Sequence, residues 1–185
     1  LEIGQHLISN FRIVNVNTCF FRLRHYYMWS IDLEFDILNF FLNLYIMVRV
    51  YIDGIFDLFH RGHLESLKQS KSLYNDTFLI VGVISDKVAE DYKRLPIISH
   101  RDRIEIIKSL SIVDEVIEDP PLNVSLEFVE KNNIDMVVHG FSDESDWQKQ
   151  KNFFKSLIEI GKFKKIKYYE PLSTTSIIDN IKKNY

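Results

Sequence analysis

Cysteine is nearly absent. Cys19 is the single one in 185 residues, which excludes an internal disulfide and fits a reducing, cytoplasmic compartment with Cys19 a buried or incidental thiol. An excess of positive charge is missing too. Lys and Arg number 23 against 26 Asp and Glu, a formal net charge of −3. That leaves no global basic field for nucleic acid or an anionic membrane, so any phosphate site has to be local. No apolar run reaches the roughly 20 residues of a spanning helix. The densest, Ile37 to Val48, is interrupted by Asn39 and Asn43. Repeats and low-complexity linkers are lacking. The triplets Asn75-Asp76-Thr77 and Asn123-Val124-Ser125 match a glycosylation pattern that arises often by chance, and nothing else suggests secretion.

What is there is enough for one compact domain: 46% hydrophobic and 14% aromatic residues supply a proper core at this length. The chain divides by pattern. Residues 1–46 are rich in Phe, Tyr, Leu, Ile and Asn and follow neither helical nor strand periodicity. Met47 stands immediately before the first well-patterned strand. Two readings are open for that extension: translation begins at Met47 and the preceding stretch is not part of the native protein, or the stretch packs on the domain or on a partner. Residues 47–185 form the patterned domain.

From Val48 the pattern is regular. Val48 to Ile52 is β-rich and closes in Asp53-Gly54; Leu64, Leu67 and Leu73 then fall at helical spacing within Gly62 to Leu73. Thr77 to Ile84 is a nearly continuous apolar run, the mark of a strand buried on both faces of a parallel sheet. A helix is expected over Arg101 to Leu110, a strand over Ile112 to Ile117, and a helix over Leu126 to Asn132. Next come a strand over Ile134 to His139, a helix over Trp147 to Ile160, a strand over Lys164 to Tyr169 and a closing helix over Ser173 to Lys183. Five β-runs separated by helices predict an α/β fold, a doubly wound, mostly parallel five-stranded sheet with its ligand site at the carboxyl ends of the strands.

The first strand runs into Asp53-Gly54-Ile55-Phe56-Asp57-Leu58-Phe59-His60-Arg61-Gly62-His63. Two histidines three apart at a strand-to-helix junction face the same side of the first helical turn. Free N–H groups and the positive end of the helix dipole lie beside them, an arrangement suited to a polyphosphate, and Gly62 lets backbone approach the ligand. Spacing alone equally describes a pair of surface histidines capping a helix. Zinc is disfavoured because only two ligands are grouped, so no protein metal site is expected.

These residues resemble a known family. Val48-Arg49-Val50-Tyr51, Asp53 to His60 and Gly62-His63 are very similar to the opening strand and HxGH signature of choline-phosphate and ethanolamine-phosphate cytidylyltransferases. The resemblance continues through Leu79-Ile80-Val81-Gly82-Val83, Ser85-Asp86, Val113-Asp114-Glu115-Val116 and Ser173-Thr174-Thr175. It covers about residues 48–185.

The resemblance implies a Rossmann-like nucleotidyltransferase fold and a reaction: an oxygen of a phospho-alcohol attacks the α-phosphorus of CTP in line and pyrophosphate leaves, with Mg2+ carried by CTP. Positioning and electrostatic stabilisation would do most of that work. It implies His60 and His63 on the phosphates, where an imidazole is useful because its charge is adjustable near neutral pH, and Lys93 reaching the phosphates of both substrates. Asp53, Gly54, Ile55, Phe56, Arg103, His139, Ser173, Thr174 and Thr175 would line the nucleotide. Asp57, Lys93, Leu122, Trp147 and Phe154 would meet the acceptor, with Phe153 also near. Without the resemblance Lys93 is an ordinary loop lysine, Arg103 a helix-surface ion pair, Ser173 to Thr175 an N-cap and the aromatics a helix's apolar face.

The sequence also departs from the family. Tyr168 and Ser111 stand where the family has arginines and Pro171 where it has a glycine, so two phosphate-facing cations are missing. At roughly 1.5 to 3 kcal/mol per charge-assisted contact, their uncompensated loss would cost on the order of a hundredfold or more in turnover or affinity. Arg94, Lys162, Lys164, Lys165 and Lys167 are the candidate substitutes, as point charges where lysine replaces the bidentate fork. Leu122 replaces the aromatic after proline that would help cage a quaternary ammonium. Val138-His139-Gly140 looks like the ethanolamine enzymes and Gly54 to His60 like the choline enzymes. Phosphocholine is the expected acceptor, ahead of phosphoethanolamine and glycerol 3-phosphate. A non-catalytic nucleotide-binding relative and an adenylyltransferase are the competing readings. A homodimer is expected from the resemblance, since the Val113 to Val116 region lies near the subunit contact in relatives. The basic amphipathic membrane helix of the choline enzymes does not appear before Tyr185.

Overall fold

The computed structural model describes residues 47–184; the expectations for residues 1–46, Cys19 among them, lie outside the described residues. Five strands, β1 Val48–Gly54, β2 Thr77–Val83, β3 Glu115–Glu118, β4 Met136–Gly140 and β5 Phe163–Ile166, form one sheet in the order β3-β2-β1-β4-β5. Every neighbouring pair is parallel. The helices are α1 Arg61–Lys71, α2 Asp86–Tyr92, α3 His100–Lys108, α4 Leu126–Lys131, α5 Glu144–Gln150, α6 Lys155–Glu159 and α7 Thr174–Asn184, with a 3-10 turn over Lys151–Phe154. This is the doubly wound α/β arrangement expected from the alternating runs. The chain reverses its direction of travel across the sheet between β3 and β4, which opens a crevice beyond the carboxyl ends of β1 and β4.

Alternation along the strands distributes two cores on the two faces. Val50, Ile52, Leu79, Val81 and Val83 pack with Leu67 of α1 and Ile104 and Ile107 of α3. Tyr51, Ile80 and Val137 pack on the other face with Val124, Val129, Phe154 and Leu157. Side-chain caps start most helices: Ser85, Ser99, Ser125 and Asp143 each accept a backbone N–H of the first turn of α2, α3, α4 and α5.

The differences from the expected elements have local causes. β3 begins at Glu115 and not Ile112, because the Asp114 carboxylate takes the Leu79 N–H at 2.6 Å and pairs with Lys71, ending the preceding turn. The expected Trp147 to Ile160 helix is broken at Lys151–Phe154, a tighter turn that carries Phe154 into the core. β5 stops at Ile166, opposite Gly140, the last residue of β4, its neighbour among the described residues. Helix α2 was not expected: its DKVAEDY sequence has no apolar stripe, and its Ser85 cap sets its start.

Candidate active site

The turn after β1 is tightly made. Phe56 and Leu58 adopt left-handed backbone, φ 55° and 47°, a costly conformation for such side chains that the surrounding contacts have to hold. His60 is the N-cap of α1: its Nδ1 accepts the Gly62 N–H at 3.0 Å, which puts the ring proton on Nε2. Gly62 is obligatory here, since a Cβ would come within 2.8 Å of the His60 ring and 2.9 Å of the Leu172 carbonyl oxygen. His63 stacks on His60 with ring centroids 3.9 Å apart, edge-on to Phe56 at 5.3 Å. Its Nδ1 is buried without a hydrogen-bond partner among the described residues.

Burial lowers the His60 pKa. His63 is lowered to about 3, chiefly by burial, with His60 and Lys93 adding and the Asp57 carboxylate opposing. The expectation of an imidazole poised near neutral pH is therefore corrected for His63: its environment keeps it neutral, a donor or acceptor of hydrogen bonds and not a cation.

Asp57 ties the histidine turn to the segment that follows α2. Its carboxylate accepts the N–H groups of Ile97 and Ile98 at 3.0 and 2.9 Å and the Arg94 guanidinium at 2.8 Å. Burial alone would raise its pKa, but the Ile98 and Ile97 N–H bonds and Arg94 together hold it below the ordinary value. Asp57 was expected to meet the acceptor; with 3% of its side chain exposed it serves instead as a latch inside the protein. Lys93, at the C-terminal end of α2, is exposed and close enough to influence His63.

Arg103 was expected to reach a phosphate. It is fully buried, and its guanidinium donates to the carbonyls of Ile98 at 3.0 Å and Ile84 at 2.9 Å, to that of Ile55, and to the Asp86 carboxylate at 2.6 Å. The planar fork thus fastens the ends of β1 and β2 to α3 and leaves the guanidinium without exposed surface.

At the end of the chain, Ser173 and Ser176 cap each other across the first turn of α7, each side chain accepting the other's backbone N–H at 3.1 and 2.9 Å. Thr174 donates its hydroxyl to the Asp57 carbonyl at 3.1 Å and lies 3.4 Å from His60 Nε2. Ser173 and Thr174 are half-buried there, while Thr175 is exposed. Across β1 and β4, Asp53 Oδ1 and His139 Nδ1 stand 3.2 Å apart. Gly54 and Ile55 supply backbone, a Cβ on Gly54 coming within 3.1 Å of the Phe56 ring.

The aromatic residues are only partly open. Phe154 is buried at 2% exposure, stacked on Phe163 at 4.7 Å and tilted against His139 at 5.3 Å; its expected place in an acceptor cage is corrected to one in the core. Trp147 is half-buried, and Lys165 Nζ sits 3.5 Å above its ring. Phe153 meets Tyr92 edge-on at 6.1 Å. Leu122 is half-buried in the connection before α4.

Of the missing cations' positions, Ser111 is exposed and Tyr168 half-buried. Lys162 precedes β5, at the opposite end of the sheet from the histidines and donates to the Ile134 carbonyl. Arg94 stands at the Asp57 latch, and Lys165 on Trp147. Among the described residues no three His, Cys, Asp or Glu side chains are grouped to hold a metal ion, and none of the helices is long and apolar enough to cross a membrane. Sequence reasoning missed the Asp57 latch and the Arg103 clamp, because both depend on carbonyl and N–H groups brought in from elsewhere in the chain.

The model of the Cytidylyltransferase-like family matches residues 51–180. Choline-phosphate cytidylyltransferase 2 of Arabidopsis thaliana is 39% identical over 139 residues, 75% of this chain and 46% of that protein. Choline-phosphate cytidylyltransferase A of Homo sapiens is 37% identical over 138 residues, 75% of this chain and 37% of that one. Ethanolamine-phosphate cytidylyltransferase of Dictyostelium discoideum is 36% identical over 136 residues, 71% of this chain and 37% of that one. The chain spans less than half the length of these relatives. Among solved structures, a lipopolysaccharide core biosynthesis protein from Thermoplasma volcanium is similar with a TM-score of 0.54 and 28% identity, covering 67% of this chain and 99% of that one.

Proposed function

Since this chain belongs to the cytidylyltransferase-like family, we propose that residues 47–185 transfer the cytidylyl group of CTP to phosphocholine, giving CDP-choline and pyrophosphate. The observation that carries the reading is the joining of His60, His63 and Thr174 at the N-terminus of α1. A phosphate oxygen of phosphocholine attacks the α-phosphorus of CTP; the new P–O bond forms as the bond to the β-phosphate oxygen breaks, and the electron pair leaves with pyrophosphate. His60 donates a hydrogen bond from Nε2–H to the phosphates, beside the Thr174 hydroxyl. Lys93, exposed beside His63, follows the developing charge, and the first N–H groups of α1 add to it. Neutral His63 packs against His60 and fixes its ring.

Asp53 with His139 lines the nucleotide side, together with Gly54, Ile55 and Phe56. Leu122 and Trp147 face the acceptor. Asp57 is committed to Arg94 and to two backbone N–H groups, Asp53 engages His139 through one oxygen, and no three acidic or imidazole groups cluster among the described residues, so these residues fit a Mg2+ held by the triphosphate of CTP. Phosphocholine is favoured over phosphoethanolamine because relatives of both names match and the choline enzymes are slightly more similar, at 36–39% against 34–36%. The test is pyrophosphate release from CTP with each acceptor, and release with phosphocholine in preference to the others supports the reading.

A second reading, a non-catalytic relative, is favoured by Tyr168 and Ser111 standing where the family has arginines. CTP binding without turnover would select it. The homodimer is proposed through β3, an edge strand among the described residues, next to Val113 and Asp114; sedimentation as a monomer at micromolar concentration would contradict it.

A further inference from the structure

Tyr51 lies on β1 two residues before Asp53, so both side chains leave the same face of the sheet. Its ring is fully buried and edge-on to Phe128 at 5.3 Å. Its hydroxyl is buried with no hydrogen-bond partner among the described residues. Gly82 decides where that hydroxyl goes. It pairs with Asp53 across β1 and β2, and a Cβ on it would stand 2.3 Å from Tyr51 Oη and 2.9 Å from Cζ. The ring therefore leans toward the carboxyl end of the sheet, over the one position on β2 that has no side chain, and brings its hydroxyl level with Asp53.

Asp53 is itself half-committed: Oδ1 faces His139 Nδ1 at 3.2 Å, and Oδ2 makes no hydrogen bond among the described residues. Phenylalanine would fill the space of Tyr51 without stranding a polar atom, and a stranded buried donor is destabilising. We propose that Tyr51 is a positioning residue: its hydroxyl donates to the Asp53 carboxylate as the site fills, and so fixes the carboxylate that orients His139. Burial, reinforced by the Asp53 charge and by the approach of the Asp53 carboxylate to the hydroxyl, drives the Tyr51 pKa well above the ordinary tyrosine value, so the proton remains on Oη and the group acts as a donor. The inference rests on the reading of Asp53 and His139 as part of the substrate site.

The experiment compares the full 185-residue chain with Tyr51→Phe. The Asp53 carboxylate carbon and the His139 ring are followed by NMR, free and with CTP, Mg2+ and phosphocholine, and pyrophosphate release is measured in parallel. The expected result is an unchanged fold, displaced Asp53 and His139 resonances in the loaded protein, and kcat/KM lower by about tenfold. Should the variant fail to fold, the reciprocal Asp53→Asn is read at the Tyr51 Cζ resonance, which is expected to move. Asp53 and His139 signals identical in the two proteins overturn the proposal, as does displacement of both without any change in kcat/KM of an active enzyme. Absence of turnover in the wild-type chain overturns the transferase reading alone, because the NMR comparison judges Tyr51 without it.

Discussion

The Thr174 hydroxyl lies 3.4 Å from His60 Nε2 although 114 residues separate the two. That contact, with the Thr174 bond to the Asp57 carbonyl at 3.1 Å, closes the last helix onto the first strand-to-helix turn. Thr174→Val keeps the shape and removes the hydroxyl. Its kcat/KM with CTP is expected to fall about tenfold, with a stability loss of about 1 kcal/mol in urea unfolding.

Arg103→Gln separates a clamp from a phosphate contact. Removing a fully buried guanidinium that holds three carbonyls and Asp86 is expected to cost about 3 kcal/mol of stability. The folded protein that remains, measured at low temperature, keeps CTP affinity within about threefold by titration calorimetry.

Asp57→Asn loosens the latch between the histidine turn and residues 94–98. The buried carboxylate serves two N–H groups and a guanidinium, so a stability loss of about 2 kcal/mol is expected by urea unfolding. Faster amide exchange at Ile97 and Ile98, which lose their charged acceptor, should accompany it.

His63 gives a pH dependence with a definite sign. Its folded pKa is lowered to about 3 from an unfolded value of about 6.5. Between those limits the unfolded chain binds the proton that the folded one refuses, so stability rises with pH across the window and falls on acidification. His63→Gln is expected to flatten the dependence of the urea midpoint between pH 6.5 and 4. An equally steep profile in the variant would show that other groups set it.

Much of this was legible in the residues. The order of strands and helices follows from continuous apolar runs such as Thr77 to Ile84, and the histidine pair declares itself by its place after β1. Where side chains serve distant backbone, the sequence is silent. Arg103 looks like a surface arginine on an amphipathic helix until the carbonyls of Ile55, Ile84 and Ile98 converge on it, and Asp57 reads as one motif residue until Ile97 and Ile98 arrive from across the chain. Phe154 sits at helical spacing from Trp147, but the 3-10 turn between them sends one ring to the core and leaves the other under Lys165. Neutrality of His63 follows from burial between Phe56, Phe59 and His60, which no spacing encodes.

Cytidylyl transfer is proposed at the His60–His63 pair. The decisive measurement is pyrophosphate release by the chain with Mg2+, CTP or ATP, and phosphocholine, phosphoethanolamine or glycerol 3-phosphate, beside His63→Ala. Release with CTP and phosphocholine, abolished in His63→Ala, is the predicted result. A folded protein that binds CTP and releases no pyrophosphate with any acceptor would contradict it.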